Sequence, residues 1–168
     1  STLGKDLSIL GTASGPVPTV IGQSLLLMEN AEIAGLRFGT LELLGASGVV
    51  LLDEIEVTGS GVGLAACDGM RVEGCAQVHI ARSLLHGMDG TPTCESIGVG
   101  IVDSVVTLTG CTVTGGEGWG DGFLGYDGRE GLDVSGDSAV LLAQSSVYGG
   151  NGGVPDVIFD GVGGDGAV

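Results

Sequence analysis

One short stretch, "AQVHIARSLLHG" (76–87), holds three side chains that could do chemistry together: His79, Arg82 and His86. Two imidazoles beside a guanidinium can bind an anion or move protons, so these three are the catalytic candidates; the alternative is a solvated polar edge. A second group lies in "GGEGWGDGFLGYDGREG" (115–131), where Trp119, Phe123 and Tyr126 stand among Asp121, Asp127 and Glu130. Aromatic faces stack on the apolar side of a sugar ring and carboxylates accept its hydroxyl protons. Trp119, Asp121, Tyr126 and Asp127 are therefore ligand candidates, the alternative being that the aromatics fold inward and cap the loop. Calcium is a further option for the Asp-Gly pairs here and in "DGVGGDG" (160–166), although neither segment has the nonapeptide period of a calcium-binding β-roll. No other cofactor is indicated.

The four cysteines, Cys67, Cys75, Cys94 and Cys111, show neither a C-x-x-C pair nor flanking histidines, so no metal site is expected. Cys111 reads as a small buried residue. Cys67 and Cys94 stand at similar offsets ahead of successive repeats, and adjacent strands lie close enough for a disulfide between them. An oxidising compartment is consistent with that pairing, and four free thiols are the alternative.

The elements that must carry these residues repeat. "SLLLMENAEIAG", "GVVLLDEIEVTG", "AQVHIARSLLHG", "SVVTLTGCTVTG" and "SAVLLAQSSVYG" begin at 24, 48, 76, 104 and 138, spacings of 24, 28, 28 and 34 residues. Position three is Leu26, Val50, Val78, Val106 and Val140; position five is Met28, Leu52, Ile80, Leu108 and Leu142. Apolar residues two apart, many of them β-branched, mark strands with one buried face. Position ten is also apolar, and position twelve is Gly35, Gly59, Gly87, Gly115 and Gly149, which predicts a corner needing φ > 0. Each unit therefore reads as two short strands with a bend and a glycine turn. A third strand precedes some units, as in "GMRVEGC" (69–75), "GVGIVD" (98–103) and "GLDVSGD" (131–137).

Composition narrows the class. The 168 residues include 35 glycines but only 4 prolines and no G-x-y period, which excludes collagen, and 43% hydrophobic content argues against disorder. Glycines interrupt nearly every helical period. Length suggests a single domain over 1–168, with 115–131 as a loop insertion and 150–168 as a Gly/Asp-rich C-terminal coil or tail. No apolar run is long enough to span a bilayer. The net charge of −16, with Lys and Arg totalling 5, makes nucleic acid and anionic membranes poor partners.

With three strands per repeat joined by Gly-rich corners, the chain resembles the right-handed parallel β-helix proteins of the pectin-lyase-like superfamily. "KDLSILGTASGPVPTVIGQ" (5–23) looks like the opening coil of secreted bacterial members, and "SVVTLTGCTVTGG" and "SAVLLAQSSVYGGNGG" look like their stacked rungs. The resemblance implies an all-β right-handed solenoid of about five or six coils, cut from a longer one, and an extracellular or cell-surface location. Many members are polysaccharide lyases or hydrolases, which use calcium-holding acids with a basic residue, or clustered Asp on neighbouring rungs. Here no Asp cluster recurs at matching positions, and Lys5, Arg37, Arg71, Arg82 and Arg129 are scattered.

One surface feature completes the reading. Positions two and four should face outward, yet Leu25, Leu27, Val49, Leu51, Val105, Ala139 and Leu141 occupy them, interrupted by Gln77, His79 and Thr107. Monomers seldom leave a sheet face so apolar, so another copy, or flanking parts of a longer chain, should cover it. The function expected is a noncatalytic structural or adhesive module that self-associates and contacts glycans; the alternative is a carbohydrate-binding or carbohydrate-active protein.

Overall fold

The computed structural model describes residues 7–10, 19–26, 29–59, 68–89, 96–118 and 127–152. In chain order the strands are β1 (Leu7–Leu10), β2 (Thr19–Leu26), β3 (Ala31–Ala34), β4 (Arg37–Leu44), β5 (Val49–Asp53), β6 (Glu56–Val57), β7 (Met70–Glu73) and β8 (Gln77–Ala81). They continue as β9 (Leu84–His86), β10 (Val99–Val102), β11 (Val105–Thr109), β12 (Thr112–Thr114), β13 (Leu132–Ser135), β14 (Ala139–Ala143) and β15 (Ser146–Tyr148). The segments expected as third strands are β7, β10 and β13, and the two-strand units with a bend are β5/β6, β8/β9, β11/β12 and β14/β15.

The expectation of a right-handed solenoid of separate coils is corrected by the strand pairing. All the described strands are parallel and fall into two sheets: six strands in the order β1-β3-β5-β8-β11-β14, and nine along β13-β10-β7-β4-β6-β9-β12-β15, with β2 on β4. The physical cause is β4. Its first residues, Arg37 and Phe38, pair with Glu56 and Val57 of β6, while Leu41–Leu44 pair with β7. One continuous strand thus joins two ladders that a repeat reading keeps apart, and the larger sheet bends through β4 into a nearly closed barrel wall.

The core fills the space between the sheets with like residues stacked across strands. Ala31, Val50, Val78, Val106 and Val140 form one column and Ile33, Leu52, Ile80, Leu108 and Leu142 another. From the larger sheet come Phe38, Val57, Leu85, Val113 and Val147, and also Leu43, Val72, Ile101 and Val134. Most of these are buried to within about five per cent of complete, the exceptions lying on the outermost strands β13, β14 and β15.

The first repeat is shifted relative to its expected register. Ala31 and Ile33, not Leu26 and Met28, stand beside Val50 and Leu52. Leu26 instead pairs with Leu43 in the other sheet, and Met28 lies outside the described residues. Any apolar pair two residues apart satisfies the pattern, so periodicity alone could not choose between them.

Corners repeat as faithfully as strands. Between the two strands of each unit one residue is left-handed: Gly35, Glu54, Arg82, Gly110 and Gln144, with φ of 65°, 51°, 46°, 63° and 53°. The kink takes the next backbone N–H out of the ladder, and a hydroxyl on the following strand pair accepts it. Ile55 N–H donates to Ser83 Oγ and Cys111 N–H to Ser145 Oγ; at a second corner, Cys75 N–H donates to Ser104 Oγ. The backbone donors at these three bends are thereby satisfied. Of the glycines expected left-handed, Gly35 and Gly59 are (φ 65° and 59°), whereas Gly115 is needed for close approach: a Cβ there would strike the carbonyl of Arg129.

Candidate functional site

Alternation along the strands decides which side chains reach solvent. On β5, β8, β11 and β14 the second residue of each pair turns inward, leaving Val49, Leu51, Gln77, His79, Val105, Thr107, Ala139 and Leu141 on the outer face. Leu51 is 43% exposed and Leu141 61%. Leu51 pairs with His79 and Thr107 with Leu141, so the apolar groups flank a polar middle in which Gln77 Nε2 lies 2.8 Å from His79 Nε2. None of these eight positions carries a carboxylate, in a chain with 21 Asp and Glu. Of the remaining stripe residues, Leu25 pairs with Glu42 in the nine-stranded sheet, apart from this face, and Leu27 lies outside the described residues.

The three catalytic candidates are placed apart. His79 is on β8 in the smaller sheet and His86 on β9 in the larger one, with Arg82 at the left-handed corner between them. Arg82 is engaged by Asp53 and, through Nε at 3.3 Å, by Glu54 Oε1. His86 Nε2 lies 3.3 Å from Asp89 Oδ1, which also accepts the Glu117 N–H at 2.9 Å. The corner arginine thus cross-links successive strand pairs and reaches neither imidazole by a hydrogen bond among the described residues. No cluster of three or more His, Cys, Asp or Glu side chains suited to a metal is found among the described residues.

A concave site that the sequence reading missed lies on the outer face of β6, β9 and β12. A groove of about 350 Å³ is lined by Glu56, Thr58, Leu84, His86, Thr112 and Thr114 with parts of the strands beneath. Glu56, Leu84, Thr112 and Ser146 are register partners in one column; His86, Thr114 and Tyr148 form the next. Leu84 and Tyr148 are each 55% exposed. Arg37 Nη2 holds the Glu56 carboxylate at 2.6 Å, and the His86 imidazole faces Asp89, so both side chains arrive already partnered. The signal was present in the ninth and eleventh positions of the repeats, which place hydroxyl-bearing and amphipathic side chains on one face.

Two buried thiols, Cys75 and Cys111, occupy the corners and are free. Burial pushes both above the ordinary thiol value, more than nearby backbone hydrogen bonds pull them down. Asp127 is described and exposed; Trp119, Asp121 and Tyr126, and the cysteines of the expected 67–94 pair, lie outside the described residues. Among the described residues no helix is long and apolar enough to cross a membrane. Set against protein-family models, curated proteins and solved structures, the chain matches none of them.

Proposed function

We propose that this chain is a noncatalytic structural module of a secreted or cell-surface protein, and that it self-associates through the outer face of its six-stranded sheet. The observation that carries this reading is the uncharged stripe of Val49, Leu51, Val105, Ala139 and Leu141 on a molecule of net charge −16. Depletion of charge at the centre of a patch characterises interface cores. Glu32 of β3, the exposed register partner of Leu51, is a carboxylate that abuts the stripe. Burying ~500 Å² of apolar area contributes on the order of 12 kcal/mol, set against association costs of about 4–15 kcal/mol. Such a balance supports a reversible dimer. An extracellular placement is supported by the offsets of Cys67 and Cys94, which suit one disulfide in an oxidising compartment.

The test is light scattering at several salt concentrations on the natural chain and on a Leu51→Glu, Leu141→Glu double variant. The natural chain should dimerise more tightly as salt screens the net charge, and the variant should stay monomeric with an unchanged circular dichroism spectrum. A natural chain that remains monomeric at high concentration and high salt defeats the proposal. So does a double variant that unfolds, because those leucines would then be core.

A further inference from the structure

One ladder of the nine-stranded sheet carries a five-residue signature. Residues 41–45, 70–74, 99–103 and 132–136 follow one another in register along β4, β7, β10 and β13 and the corners after them. The first and third side chains are apolar and turn inward: Leu41, Met70, Val99 and Leu132 are at most 2% exposed, and Leu43, Val72 and Ile101 at most 1%. The fifth residue is left-handed in all four, Gly45, Gly74, Asp103 and Gly136, with φ of 63°, 63°, 47° and 65°. Val134 departs from the series. It is only partly buried, and among the described residues its strand, β13, pairs with β10 alone and ends the ladder.

The residues beyond Gly152 lie outside the described ones, but their sequence supplies the same signature once. Val157, Phe159 and Gly161 stand at its first, third and fifth places, and no other run in 153–168 does so. Chain order points to the same ladder: β6 is followed by β7, β9 by β10 and β12 by β13, so the strand after β15 belongs next to β13. The path is short. A Cβ on Gly98, just ahead of β10, would lie 2.6 Å from the carbonyl oxygen of Thr114, which ends β12, so a unit's last strand finishes beside the start of its first. Residues 149–156 therefore have to cross little more than one strand spacing of about 4.8 Å, and a segment of that length reaches up to about 26 Å. We infer that residues 157–160 add to the edge of β13 as a further parallel strand, with Val157 beside Leu132, Ile158 beside Asp133, Phe159 beside Val134 and Asp160 beside Ser135. Phe159 then closes the open end of the core over Val134. The added strand also occupies backbone groups that would otherwise recruit strands of other molecules.

Cysteine pairing in the full chain tests it. In an Asp133→Cys, Ile158→Cys variant the two thiols become register partners on one face, within reach of a disulfide. Mild diamide oxidation and peptide mass mapping without reduction should find the 133–158 link within single chains, in about half of the molecules or more. An Asp133→Cys, Phe159→Cys variant puts the second thiol on the opposite face and should form its link at least about tenfold less. Phe159→Ala should keep the far-ultraviolet circular dichroism spectrum, lower the Tm by about 5 °C or more and speed hydrogen exchange in β13. A 133–158 yield no higher than that of the slipped pair overturns the inference. So does a link found only between chains, which would give the edge to a second copy, or a Phe159→Ala protein whose melt and β13 exchange match the natural chain. Self-association through the six-stranded sheet uses other residues, so either reading can fail without the other.

Discussion

The two free cysteines show how a single residue can be legible as a type yet not as a function. Cys111 was expected to be small and buried, and it is; its Sγ lies 3.3 Å from the Ile80 carbonyl, and its N–H is capped by Ser145 Oγ. What the sequence does not display is that Cys75 and Cys111 sit at bends where neighbouring hydroxyls replace ladder hydrogen bonds. Burial raises both thiols above their ordinary value. A raised folded-state pKa means the stability involved is complete below the unfolded thiol range and is lost as pH climbs through the folded value. The urea midpoint of the natural chain should therefore fall as pH is taken into the alkaline range above 9.0. A Cys75→Ser, Cys111→Ser variant, which keeps small polar groups at the bends, should show a shallower fall. Equal alkaline slopes in the two proteins would mean that the thiols do not govern this loss. Arg82 makes the complementary point: from its left-handed corner between β8 and β9 its guanidinium pairs with Asp53 and Glu54 of the preceding unit, a contact its own repeat does not announce.

At the scale of the strand, alternation makes sharp predictions because a one-residue slip exchanges the two faces. Val106 is buried and its neighbour Val105 is 45% exposed. Val106→Asp places a carboxylate between Val78 and Val140 in the core and should cost about 4–5 kcal/mol or more, enough to unfold a chain of ordinary stability. Val105→Asp should fold with an unchanged far-ultraviolet spectrum and weaken self-association. Thermal melts of the pair decide the register, and a folded Val106→Asp protein would reverse it. Most of this was legible: four of the six strands of the smaller sheet, β5, β8, β11 and β14, carry the apolar i, i+2 pairs that the repeats announce. The first repeat was not. Leu26 and Ala31 are both apolar, and only pairing of β3 with β5 and of β2 with β4 shows which belongs to which column.

Over the whole molecule, excess negative charge opposes compactness as well as association. For the monomeric Leu51→Glu, Leu141→Glu variant, raising salt from about 10 mM to 150 mM shortens the screening length from roughly 30 Å to 8 Å. Its Tm should rise by about 4 °C, given that each kcal/mol is worth about 2–4 °C at this size. Calorimetry at both salts checks it, and a flat Tm would show that the acids are too well separated to repel.

The sequence by itself determined that the protein is all-β, that its strands recur in short units, and which side chains most units turn inward. Those properties follow from local alternation and glycine placement, which act within a few residues. Tertiary structure decided the rest. That β4 serves β6 with one end and β7 with the other, turning expected separate coils into one bent nine-stranded sheet, is a fact of pairing between distant segments. The groove has the same origin. Glu56, Leu84 and Thr112 are 28 residues apart in succession, and each looks ordinary in its own repeat. Their shared face arises only when parallel strands align in register, because stacking converts a long sequence interval into a neighbour distance.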